Sequence, residues 1–276
     1  MQRDLTASGV RLRVVEAGDG EPVVLLHGLF VDHSSWDGVM NDLCADFRVV
    51  APDLPGFGES EKPPPSRFPY GVDAFAETVA DLYAGLELGR AALVGHALGG
   101  AVALTLAARH PELVSRLVLV DSLCYQTPLD LRRRIALLPV VGGFAFKQLL
   151  GRPGFRALFR ETMLSARASV PNERLDHYYE LFNEPAARGS ALATLRATVD
   201  ARNVVAQTTR VSTPTLIVWG RADRLYPAGF GQRLAREIRG AGFELMDSGH
   251  SPQEERPGEL AAVVRRFLRS QRPSTY

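Results

Sequence analysis

The residues that could do chemistry lie in three well-separated segments. Gly95-His96-Ala97-Leu98-Gly99 follows the apolar run Ala91 to Val94 and opens an alanine-rich stretch. In the pattern G-x-S-x-G the central residue sits on a strained strand-to-helix turn, and the flanking glycines let strand and helix approach closely. Here the seat of the nucleophile, position 97, holds alanine. Asp223 stands just beyond the apolar run Thr215 to Trp219, and His250 just beyond Phe243 to Met246. Acyl transfer needs a nucleophile, a base for its proton, an acid to fix the base's tautomer, and N–H donors for the oxyanion. Nucleophile seat, Asp223 and His250 follow one another in the chain order that an elbow of this kind carries. Backbone amides fill the fourth role: Leu98, directly after the elbow, and Leu29, after His27-Gly28.

Such groups meet only if a sheet brings its strand ends together. Pro22 to Leu26, Phe47 to Ala51, Ala91 to Val94, Leu117 to Val120 and Thr215 to Trp219 are continuously apolar, as strands covered on both faces are. Arg11 to Glu16 alternates and reads as an edge strand. Helical patterns lie between the strands, at about Ser34 to Cys44, Val72 to Leu86 and Leu98 to Arg109, the last stopped by Pro111. Further helices are expected near Gly229 to Ile238 and up to about Arg269. Strands alternating with helices imply a mostly parallel sheet with helices on both faces, whose ligands gather at the carboxyl ends of the strands.

After Asp121 the alternation lapses and resumes at Val211. The interval 125–210 is helical in pattern and punctuated by Pro128, Pro139, Pro153, Pro171 and Pro185, which suggests a helical cap inserted into a core made of 1–124 and 211–276. A chain of 276 residues buries roughly 75% of its unfolded surface, enough for such a core and cap.

Composition excludes several classes. With 46% hydrophobic and 23% charged residues and a net charge of +1, the chain has neither the profile of a disordered segment nor that of a polyanion binder. The expected partner is a small-molecule substrate, with no nucleic acid and no membrane; oligomeric state is not legible. The longest apolar run, Ile135 to Phe146, is broken by Pro139, Gly142 and Gly143 and falls short of the ~20 residues of a membrane span. Arg132-Arg133-Arg134 before it reads as a solvated helix face. The polar start, without a signal-like apolar stretch, and two isolated cysteines, Cys44 and Cys124, point to a reduced cytoplasmic protein. No clustered ligand set appears, so neither metal nor cofactor is expected.

Taken together, six segments in register resemble the α/β-hydrolase fold family, of the capped epoxide-hydrolase, esterase and carbon–carbon hydrolase type. They are His27-Gly28 with Trp36 downstream, Asp53-Leu54-Pro55-Gly56-Phe57-Gly58-Glu59-Ser60, the elbow, His110-Pro111-Glu112, Gly220-x-x-Asp223 and Gly249-His250. The resemblance implies an eight-stranded, mostly parallel sheet flanked by helices, with an inserted cap and a cofactor-free site at Ala97, Asp223 and His250. It also implies hydrolysis of a small, mostly apolar ester or related carbonyl compound. His27 and Asp53 belong to motifs that shape loops in this family. Asp121 is a rival acid, because some relatives carry the acid after that earlier strand, and otherwise a turn residue. His96 is expected to hydrogen-bond within the elbow. Tyr178 and Tyr179 are similar to tyrosines that polarise epoxides in some relatives, but without aspartate at 97 packing is the expected role.

The departure from the family, Ala97, reads in three ways. It replaces a native serine, whose loss costs on the order of 10⁶ in turnover. Or it is native, as in the similar elbow of aminoacrylate hydrolases of pyrimidine breakdown, and His250 with Asp223 acts as a general base on water or on a substrate proton. Or the chain is a binding protein on a hydrolase scaffold.

Overall fold

The computed structural model describes residues 1–126 and 151–270. One sheet contains β1 (Gln2–Ala7), β2 (Val10–Ala17), β3 (Pro22–Leu26), β4 (Arg48–Pro52), β5 (Ala91–His96), β6 (Val114–Val120), β7 (Thr215–Gly220) and β8 (Gly242–Met246). Their order across the sheet is β1-β2-β4-β3-β5-β6-β7-β8. The pairs β1/β2 and β2/β4 are antiparallel, and every pair from β4/β3 onward is parallel.

The continuous apolar runs fold as central strands because both faces of the sheet are covered. Along β3, Val24 and Leu26 enter one core while Val23 and Leu25 enter the other. β6 divides likewise, Leu117 and Leu119 on one side, Val118 and Val120 on the other. Each fully buried aliphatic side chain contributes roughly 1.5–3 kcal/mol relative to exposure.

Helices α1 (Asp37–Leu43), α2 (Val72–Gly85) and α3 (Leu98–Arg109) come before β6. Between β6 and β7 stand α4 (Arg152–Met163), α5 (Asn172–Asn183), α6 (Pro185–Thr198) and α7 (Arg202–Val205). The chain continues with α8 (Ala228–Glu237), α9 (Pro252–Glu255) and α10 (Pro257–Arg269). Proline occupies the first turn of α4, α6, α9 and α10, where its missing N–H costs nothing. Pro128, Pro139, the Arg132 to Arg134 run and the Ile135 to Phe146 run lie outside the described residues. Among those described, no helix is long and apolar enough to cross a membrane.

Two expectations are corrected. Arg11 to Glu16 lies in β2, which is flanked by β1 and β4 and is not an edge. The edge is β1, whose inward residues Arg3, Leu5 and Ala7 include only two apolar ones, so its period of two is too faint to read. The helix expected from Ser34 divides into a 3-10 turn, His33–Trp36, and α1. The Asp32 carboxylate accepts from the Ser34 amide at 3.2 Å and caps that turn.

Candidate active site

Position 97 lies between β5 and α3 with φ 49° and ψ −109°, a conformation costly for any residue with a β-carbon. Its surroundings hold it there. The Ala97 N–H donates to the Val120 carbonyl at 3.0 Å, and its own carbonyl accepts from Ala101 and Leu123. Gly95 is required by close approach, because a β-carbon there would lie 2.2 Å from the Gly99 carbonyl oxygen. As the first residue of α3, Leu98 has no carbonyl within the helix to receive its N–H. The loop after β3 reaches the same spot: a β-carbon on Gly28 would stand 3.3 Å from the Ala97 β-carbon. Leu29 is the next residue in that loop.

His250 follows β8, and its ring faces the elbow. Its centroid lies 4.9 Å from that of His96 and 5.1 Å from that of Tyr226. Nδ1 meets Asp223 Oδ2 at 2.8 Å, with both side chains fully buried, and Nε2 has no hydrogen-bond partner among the described residues. The other Asp223 oxygen accepts from the Leu225 and Tyr226 amides at 2.7 and 2.9 Å. Burial opposes charge on Asp223, but the His250 ring and these donors outweigh it and hold the carboxyl below its ordinary range. Such an imidazole, aimed and with one nitrogen open, can accept a proton from a nucleophile near position 97.

The structure pairs Asp223 with His250, sets the His250 ring beside His96, the residue before Ala97, and brings Gly28 against Ala97. Asp121, the rival acid, is not the partner of His250 Nδ1; it directly follows β6 at φ 42°, and its Oδ1 accepts from the Gly220 amide at 2.9 Å. His96 departs from expectation: it bonds outside the elbow, to the His250 carbonyl at 2.7 Å and to Gln253 Nε2 at 3.1 Å. Burial, with His250 beside it, pushes its pKa down to about 3, so the ring is neutral. His27 Nε2 accepts from the Leu54 amide at 2.9 Å, and Asp53 accepts from the His33 and Glu59 amides, which ties the two loops together.

Could either buried group of acids and histidines hold a metal? Asp32, His33 and Asp53 place ligating atoms within 4.8 Å of one another. Each of the four carboxylate oxygens already accepts a hydrogen bond, from Ser34, His33, His177 or Glu59. In the second group, Asp121, Asp223 and His250, the nitrogen nearest the carboxylates is taken by Asp223.

With this geometry in view, a model of the alpha/beta hydrolase fold matches residues 21–257. The chain belongs to the α/β-hydrolase fold family. It is 30% identical over 279 residues to the 2-hydroxymuconate semialdehyde hydrolase of Pseudomonas sp. (strain CF600), covering 96% of this chain and 93% of that one. It is also 30% identical over 275 residues to the 2-hydroxy-6-oxo-2,4-heptadienoate hydrolase of Pseudomonas putida F1, covering 96% and 95%. Among solved structures it is similar to a serine hydrolase involved in carbazole degradation, with a TM-score of 0.82 at 25% identity over 97% of this chain and 98% of that one.

Two polar residues of this α/β-hydrolase site were not legible beforehand. Gln253 and Glu255 follow His250 in Pro252-Gln253-Glu254-Glu255, and nothing in that spacing shows which of them turn inward. Gln253 is buried against His96. Glu255 accepts from the Gly249 amide at 2.8 Å and from the Ser165 amide at 3.0 Å. Tyr178 and Tyr179 pack as expected, Tyr178 stacking on Phe159 and donating its hydroxyl to Glu254.

Proposed function

We propose that this protein is a hydrolase of a small, mostly apolar ester or related carbonyl compound, with His250 as base, Asp223 as its orienting acid, Ala97 in the nucleophile's place and the Leu29 and Leu98 amides as oxyanion donors. The observation that carries the proposal is the His250 ring: Nδ1 is fixed by Asp223, while Nε2, buried beside the elbow, has no partner among the described residues. A binding protein gains nothing from such a pair. The relatives named as hydrolases of small carbonyl compounds support the substrate class.

With a methyl group at 97, the reaction open to this chain is general-base hydrolysis. His250 Nε2 takes a proton from water as the oxygen attacks the carbonyl carbon, and the negative charge that develops is held by two backbone N–H groups. Collapse expels the alcohol oxygen, which takes the proton back from His250. A serine hydroxyl at 97 would follow the same proton path and form an acyl-enzyme first.

Helices α4 to α6 are proposed as the cap over this site. They meet the core through Arg174, which pairs with Asp37 and Glu254, through His177 on Asp32, and through Ser165 on Glu255. A small apolar cavity is lined by Phe30, Val31, Phe57, Leu181, Phe182 and Ala187; neither Ala97 nor His250 lines it. The free thiols Cys44 and Cys124 are consistent with a cytoplasmic setting, which belongs to the same proposal.

One observation favours a second reading. The methyl at 97 suits a His250–Asp223 pair that removes an acidic proton from a substrate without hydrolysing it. The experiment is a substrate screen of the chain and of Ala97→Ser against p-nitrophenyl esters, thioesters and carbon–carbon hydrolase substrates, with His250→Ala as the control. Turnover abolished by His250→Ala supports the proposal. A well-folded Ala97→Ser protein that turns over none of them sinks the hydrolase reading.

A further inference from the structure

Asp121 has no part in the chemistry above, yet it is fully buried at the end of β6, within one cluster with Asp223 and His250 whose reactive atoms all lie within 4.8 Å of one another. Its two oxygens are treated differently. Oδ1 accepts the Gly220 N–H at 2.9 Å, while Oδ2, shielded from solvent, accepts no N–H or O–H from any described residue.

The charges facing Asp121 decide its state. From the loop after β7 comes the Asp223 carboxylate, and from α9 the Glu255 carboxylate. The loop after β8 supplies His250, whose Nδ1 is committed to Asp223. Two ionised carboxylates in direct contact, out of water and with one shared imidazole, would carry a repulsion that nothing nearby neutralises. One proton held between them removes it, and of the two Asp121 is the better holder: Asp223 has the imidazole and two backbone amides to favour its charge, whereas Asp121 has one amide. Burial, then the neighbouring Asp223, push the Asp121 carboxyl well above its ordinary range, in agreement with that assignment.

We propose that Asp121 is a neutral carboxylic acid whose Oδ2–H donates to the Asp223 carboxylate, making it a positioning residue for the Asp223–His250 pair. Asp223 then receives donors from three directions besides His250: the Leu225 amide, the Tyr226 amide and the Asp121 acid. Its carboxylate plane cannot rotate without breaking one of them, so the acceptor seen by His250 Nδ1 is fixed in place. The inference rests on the reading of Asp223 and His250 as the orienting acid and base.

The test uses the whole chain labelled with ¹³C at the aspartate side-chain carboxyls. A carboxyl signal that stays at the protonated position from about pH 5 to about 8, and that disappears in Asp121→Asn, is the expected result. If every aspartate signal stands at the carboxylate position at neutral pH, the proposal is overturned, and this reading holds even where no variant folds. The second measurement follows the downfield Nδ1–H proton of His250. Asp121→Asn, whose amide can still donate to Asp223, should keep that resonance in place, whereas Asp121→Leu, which cannot, should shift it. A resonance equally unmoved in both variants denies Asp121 any effect on the pair. Activity separates the two ideas. A protonated Asp121 in an Ala97→Ser protein that hydrolyses nothing removes the functional reading alone, and an ionised Asp121 in an active enzyme removes this one alone.

Discussion

His96 donates its Nε2–H to the carbonyl of His250 at 2.7 Å, joining residues 154 apart in sequence. Gln253 fixes which nitrogen carries the hydrogen: its Nε2 donates to His96 Nδ1 at 3.1 Å, leaving Nε2–H for the carbonyl. The residue beside the elbow therefore holds the backbone of the candidate base. Replacing His96 with leucine should leave that buried carbonyl unpaired, at a cost of about 1–3 kcal/mol. The expected outcome is a lower urea midpoint at unchanged m-value, together with reduced turnover in the Ala97→Ser background.

Introducing a hydroxyl at position 97 should raise ester turnover by a large factor, up to on the order of 10⁶ if the rest of the site is arranged for it. A burst of p-nitrophenol equal to the enzyme concentration would report acyl-enzyme formation. In the same background Asp223→Asn should lower kcat by on the order of 10⁴, through loss of the correct His250 tautomer. A kcat unchanged by Asp223→Asn would transfer the orienting role elsewhere.

Glu255 links the proposed cap to the base, accepting from Gly249 on one side and Ser165 on the other. Glu255→Ala frees both amides and the Ser165 hydroxyl. Losing such bonds costs about 1 kcal/mol of stability each, so the urea midpoint should fall, and displacement of Gly249 beside the candidate base should lower kcat of the Ala97→Ser protein. Ser165→Ala should have the smaller effect, because it leaves the Gly249 bond intact.

The His177–Asp32 contact, 3.0 Å, should make the attachment of α5 to the core depend on pH. Asp32 raises the His177 pKa, so this part of the stability is full below the ordinary histidine value of 6.5 and fades as pH rises through the folded value. Asp32 is held at about 2, burial being outweighed by its bonds to His177 and Ser34 and by the nearby His33, so its part is present above 3.8 and fades as pH falls toward 2. The difference in melting temperature between the chain and His177→Ala should therefore be largest between about pH 4 and about pH 6.5 and shrink above it. His177 is 44% exposed, so solvent screening keeps the effect at about 1 kcal/mol or less. A difference that grows above pH 7 would refute the assignment.

Gly95→Ala tests the elbow itself. Its β-carbon would meet the Gly99 carbonyl oxygen at 2.2 Å, and a backbone atom cannot swing aside as a side chain can. A loss of at least about 2 kcal/mol is expected from denaturant unfolding. An unaltered stability would show that strand and helix do not approach as described.

How much of this was legible beforehand follows from the kind of signal each feature carries. Continuous apolar runs such as Val23 to Leu26 announce themselves as central strands, because burial on both faces leaves no room for a polar alternate. The elbow is legible in part for a local reason: Gly95 is demanded by the Gly99 carbonyl four residues on, whereas Gly99 is demanded by the Leu26 and His27 carbonyls at the end of β3. Asp223 and His250 are legible because each lies within four residues of the end of a parallel strand. β1 was missed because Gln2, Asp4 and Thr6 face solvent and only Leu5 and Ala7 mark the inner side.

Relations between distant side chains are another matter. That Asp121 lies against Asp223, that His96 turns to the His250 carbonyl instead of its own loop, and that Glu255 takes amides from both Gly249 and Ser165 depend on how four strand ends and α9 converge. Sequence determined the kind of sheet, the elbow and the order of the reactive residues, since these follow from local sterics and hydrophobic period. Only the tertiary structure decided which buried acid touches the histidine and which polar groups share a proton, because contacts across 27 to 154 residues leave no periodic trace in the chain.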